Sequence, residues 1–125
     1  MREHRSDLQP VVGPTLIGTG LQLLMVVAGH LSPAVAGFFA PGGMTISAVA
    51  GVLAAMSSRP ASLGSAAGRG AIAGGVSAFV GILVSYFLGD VPAAVLGFGT
   101  ASSAVTGALG GLVGKLLTAR AAQRA

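Results

Sequence analysis

Charge is almost absent from the interior of this chain, and where the few charges stand decides what it can fold into. The seven Lys/Arg and three Asp/Glu residues are Arg2, Glu3, Arg5, Asp7, Arg59, Arg69, Asp90, Lys115, Arg120 and Arg124. Three charge-free runs lie between them: 51 residues from Leu8 to Ser58, 20 from Gly70 to Gly89 and 24 from Val91 to Gly114. A helix that crosses the hydrocarbon of a bilayer needs about 20 apolar residues. The first run holds two such helices and each of the others one. With 8% charged residues, against about 25% in soluble domains, the chain lacks the means to cover itself for water. The expected fold is an all-α integral membrane protein with four transmembrane helices, a single domain over residues 1–125 with the lipid bilayer as its first partner.

Helix breakers place the boundaries at about 11–30, 33–58, 70–88 and 92–117. Pro10 and Pro14 then lie before the first span or in its first turn, where a missing N–H costs little. Ser32-Pro33 reads as a cap followed by proline at the first helical position, and residues 57–68 as the one sizeable loop. A cleaved leader is the rival reading of the start, with Val11 to Ala28 as its apolar core and Ala34-Val35-Ala36 as its processing site. That core is longer than the usual 7–15 residues of such segments.

Lys and Arg occupy the N-terminal tail, the middle loop (Arg59, Arg69) and the C-terminal tail, whereas the turns after spans one and three carry only His30 and Asp90. Cytoplasmic segments collect Lys and Arg, so both termini and the middle loop are expected inside, in an inner membrane. Abundant Ala, Gly and Arg beside a single Lys and no Asn fit a GC-rich, bacterial coding sequence. The pI near 11.3 follows from this topology and not from nucleic-acid binding, because the basic residues form no continuous patch.

The halves resemble each other. A shift of 56 positions sets Gly18 on Gly74, Gly43 on Gly99, Ser47-Ala48-Val49-Ala50-Gly51 on Ser103-Ala104-Val105-Thr106-Gly107, and Arg59 on Lys115. Residues 11–59 and 67–115 are thus expected to be two tandem hairpins, parallel repeats related by an axis along the membrane normal.

Small residues recur at four-residue spacing: Gly43, Ser47, Gly51 in span two, Gly70 and Gly74 in span three, and Gly99, Ser103, Gly107, Gly111 in span four. Close backbone approach along such stripes drives helices together in lipid. The stripes serve packing within the chain or, alternatively, a homo-oligomer or a partner membrane protein. Ala40-Pro41-Gly42-Gly43 and its counterpart Gly97-Phe98-Gly99-Thr100 are candidates for broken helix. Non-helical backbone at membrane depth is tolerated where it is buried in protein or lines a cavity, and transporters use it to build central sites. Gln22, Pro41, Gly42, Gly43, Thr45, Gly97, Gly99, Thr100 and Ser102 are therefore the candidate solute pathway. A proline kink beside glycine packing, or a short outer helix and a turn, explains the same residues without a site.

Absences exclude much. No acidic residue lies within a span, which removes carboxylate-coupled transport. No cysteine, and one His beyond the tail, leave neither a metal site nor the usual actors of acid–base catalysis. The chain is read as a non-enzyme without cofactor. The preferred function is a passive channel or transporter for a small solute or ion, working as an oligomer. The alternative is a non-catalytic accessory subunit of a larger membrane complex.

Overall fold

A computed structural model of the chain describes residues 2–57, 59–60 and 62–124, with side chains from Gln9 onward. Its helices are α1 (Arg2–Leu31), α2 (Pro33–Ala36), α3 (Phe39–Met56), α4 (Leu63–Phe87) and α5 (Ala94–Arg124). Four segments are long and apolar enough to cross a membrane: Gln9–Leu31, Phe39–Met56, Leu63–Phe87 and Ala94–Arg124. The chain is a multi-pass, all-helical protein of the kind the charge-free runs require.

Several boundaries differ from the expected ones, each for a local reason. Pro10 and Pro14 lie inside α1, because the polar tail ahead of them continues the helix instead of leading into it. Span three begins seven residues earlier, at Leu63, where Ser62 caps it: the Ser65 N–H donates to Ser62 Oγ at 3.0 Å. The glycines at 64 and 68, read as loop, are held helical by that cap. Span four opens at Ala94 and runs on to Arg124 through an Ala-rich tail of strong helix formers. Span two divides into α2, a turn at Gly37-Phe38, and α3 ending at Met56; Ser58 lies outside the described residues.

α1 packs on α3 and α4, α5 packs on the same two helices, and α3 touches α4 across the middle. Around the bundle the order is therefore α1, α3, α5, α4, with the α4–α5 contact the most extensive. The interior is small and the exterior bulky. Ala54, Ala55, Ala66 and Ala73 are fully buried, and the largest fully buried side chains are Ser47 and Ser77. Leu16 is 68% exposed, and Leu24, Phe87, Val105 and Leu109 are likewise turned outward. Such an arrangement costs nothing when the solvent is lipid, since hydrocarbon outside is as good a medium as the interior.

The seven packing residues expected from the stripes, Ser47, Gly51, Gly70, Gly74, Ser103, Gly107 and Gly111, are all buried. They form a seam where backbone lies on backbone. A Cβ on Gly51 or on Gly70 would run into the Gly107 carbonyl, and one on Gly111 into that of Ala66. One on Gly74 would stand 2.8 Å from the Ser103 oxygen and 3.0 Å from that of Ser47. These distances are shorter than van der Waals contact, so each position admits hydrogen alone.

Candidate functional site

Away from the seam the helices part, and between them lies a vestibule of about 530 Å³. α1 contributes Gln22, Met25 and Val26; α3 contributes Phe39, Gly43 and Met44; α4 contributes Gly81, Ile82 and Ser85. α5 closes the ring with Val95, Phe98, Gly99, Ser102 and Ser103, and Asp90 with Val91 stands at the mouth. Its size falls within the range of about 300–1,000 Å³ usual for small-molecule pockets. Gln22 precedes the end of α1 by nine residues, which puts it about 13 Å down the helix axis.

Gln22 is 3% exposed and holds three helices in register. Its Nε2 donates to the Gly43 carbonyl at 3.1 Å and to Ser47 Oγ at 3.4 Å. Ser47 Oγ donates in turn to the Gly74 carbonyl at 3.2 Å, which also accepts from Ser77 Oγ at 3.1 Å. A carbonyl partner fixes which end of the amide faces it, because only the NH₂ group can donate. Oε1 takes part in neither bond. Below this network the glycine seam closes the bundle, so the vestibule is blind.

The mouth is built by the end of α4. Gly89 takes φ +80°, a left-handed conformation that glycine adopts without penalty. The Gly89 N–H then donates to Tyr86 O and the Asp90 N–H to Ser85 O, each at 3.0 Å. This is the paired pattern of a Schellman cap, and it swings Asp90 toward the end of α1. There Asp90 Oδ2 meets His30 Nδ1 at 2.9 Å. The two side chains, 60 residues apart in sequence, are thus partnered.

Of the nine candidate pathway residues, the vestibule gathers Gln22, Gly43, Gly99 and Ser102. Pro41, Gly42, Thr45, Gly97 and Thr100 are not on its walls. Neither expected break is present: residues 40–43 and 97–100 are helical. Pro41 sits third in α3, where an N–H would have no helical partner to lose, and its carbonyl accepts from Thr45 Oγ1 at 2.7 Å. The real interruption falls upstream, at Gly37-Phe38. Gly42 lies against Met25, whose Sδ would be 2.7 Å from a Cβ there. Gly97 faces open space, and the Thr100 hydroxyl is buried without a partner.

Sequence reasoning missed Met25, Phe39, Met44, Ile82, Ser85 and Phe98. The apolar ones use the same side chains that face lipid elsewhere, so hydropathy carries no signal for them. Comparison with family models, with curated proteins and with solved structures finds no match to the chain. The site must therefore be judged on its own chemistry. Among the described residues no three His, Asp or Glu side chains come together as a metal site. The arrangement offers an apolar chamber, a few neutral hydrogen-bonding groups and a His–Asp contact at its rim.

Proposed function

We propose that the chain is a small membrane protein of transporter type, which takes a small solute into the vestibule from the His30–Asp90 end. The observation that carries this reading is the blind chamber itself: roomy above Gln22 and shut below by backbone contacts at Gly74 and Gly107. An open pore through one chain has no lumen in such an arrangement, which favours a carrier over the passive channel. The accessory-subunit reading relied on the small-residue stripes as docking faces. Those stripes are spent inside the bundle, so an oligomer or partner complex would use other faces.

The test is flux. Stopped-flow measurements on proteoliposomes, with a panel of small neutral solutes, should show transfer faster than through protein-free vesicles. Gly43→Leu projects a side chain into the chamber. A Cβ at Gly43 meets Gln22 Oε1 at 3.5 Å and Met25 Cε at 3.6 Å, ordinary contacts, so the backbone admits a side chain there, and an unchanged circular-dichroism spectrum checks that the bundle persists in the variant. Its transfer should drop to the vesicle background. Equal transfer by the wild type, Gly43→Leu and empty vesicles removes the proposal.

The topology belongs to the same reading. The Lys/Arg bias supports an inward placement for both tails and the middle loop. The Lys115 ammonium, which donates to the Pro60 carbonyl at 3.1 Å, keeps two of those basic segments at one end of the bundle. The chain has no cysteine, so single-cysteine variants report cleanly. An impermeant maleimide applied outside intact cells should label Leu88→Cys and spare Ser62→Cys; the reverse pattern inverts the topology. The tandem repeat is proposed from the 56-residue sequence register.

A further inference from the structure

The walls of the vestibule narrow the class of solute, an inference that rests on reading the chamber as a solute site. Ser85 lines the chamber, is 2% exposed and has a hydroxyl with no hydrogen-bond partner. Buried hydroxyls in helices ordinarily bond the carbonyl one turn back, and native structures leave few unpaired. One turn deeper on the same helix is Gly81, packed so closely on Gln22 that a Cβ there would stand 2.8 Å from the Gln22 Cβ. Ser85 thus stands one helical turn toward the mouth from the level of Gln22, on the same wall. A solute hydroxyl at that level lies within one hydrogen bond of about 2.8 Å of Ser85 Oγ. It would accept from Ser85 Oγ, which has no partner within the protein.

The rest of the chamber is apolar and rich in soft, polarisable contacts. Phe39, Phe98, Met25 and Met44 line it, and thioethers and rings pack well on aromatic faces. Asp90 is the one ionisable group on these walls, and His30 engages it at the rim. Because His30 already engages the Asp90 carboxylate, a charged solute beside Ser85 would leave water without a free counter-charge on these walls, at high cost. We propose that the vestibule binds a neutral aromatic alcohol, its ring among Met25, Phe39 and Met44 and its hydroxyl on Ser85.

The experiment compares three probes of similar shape on the full chain in lipid nanodiscs, with empty nanodiscs as the reference: p-cresol, p-xylene and the cation benzylammonium. p-Cresol should bind about five- to tenfold more tightly than p-xylene, the difference expected of one hydrogen bond. Ser85→Ala should erase that difference while leaving p-xylene unchanged, and Gly43→Leu should abolish binding of both. Equal affinity for p-cresol and p-xylene, or a preference that survives Ser85→Ala, overturns the assignment of solute class and leaves the chamber as a site. Tightest binding by benzylammonium overturns it in favour of a cation read by Asp90. Binding of none of the three above empty nanodiscs, or binding indifferent to Gly43→Leu, overturns the chamber as a site and this inference with it.

Discussion

Gly107→Leu should abolish the folded bundle, while Gly97→Leu, ten residues earlier on the same helix, should be tolerated. At Gly107 a Cβ would run into the Gly70 carbonyl and lie 3.0 Å from the Gly74 Cα. Both neighbours are helical backbone and cannot rotate away as a side chain would. Relief requires α4 and α5 to separate, and theirs is the most extensive contact in the molecule. Overpacking usually costs about 1–3 kcal/mol; with backbone on both sides, the expected loss is about 3 kcal/mol or more. At Gly97 a Cβ meets nothing within 4 Å, so its leucine would add only another lipid-facing side chain. Circular dichroism through an SDS titration distinguishes the two. A Gly107→Leu protein as resistant as the wild type would mean that the seam is not what holds the helices.

Gln22→Leu should have the next largest effect, and on both stability and transfer. The substitution keeps an apolar side chain of comparable size but removes the donor that joins α1 to Gly43 and Ser47 on α3. Interhelical hydrogen bonds in membranes are worth about 0.6 kcal/mol on average and up to about 1.7. Two bonds from one buried amide place the expected loss at about 1–2 kcal/mol. Solute transfer should fall further than this loss explains, because the same amide forms part of the chamber wall. A variant of normal transfer and reduced stability would assign Gln22 to packing alone.

The four spans were legible because the bilayer imposes one demand, length without charge, that the positions of ten charged residues answer. The seam was legible for a related reason. Gly51, Gly70, Gly74, Gly107 and Gly111 are small where lipid would accept anything, and only close approach explains that economy. The interruption in span two was misplaced by a few residues. Pro41-Gly42-Gly43 marks a helix boundary but does not say on which side of it the helix lies, since proline is equally at home in a first turn. The chamber was legible only through its glycines and its one amide. Met25, Phe39, Met44 and Phe98 face it with the same chemistry that faces lipid elsewhere, and Ser85 became informative only once its hydroxyl was seen without a partner.

The shortness of α3 has a consequence for the surrounding membrane. Its 18 residues rise about 27 Å, less than the hydrocarbon thickness of about 30 Å, while the charge-free part of α5, from Ala94 to Gly114, matches it at about 31 Å. A bilayer matched to α5 is about 3–4 Å thicker than α3 is long, which the acyl chains beside α3 take up by thinning. Mismatch costs fractions of a kcal/mol per Å, and here it falls on the helix that bears Phe39, Gly43 and Met44. Lipid composition thereby becomes a setting of the protein: in reconstitution, short-chain phosphatidylcholines should relax the chamber wall and long-chain ones should load it.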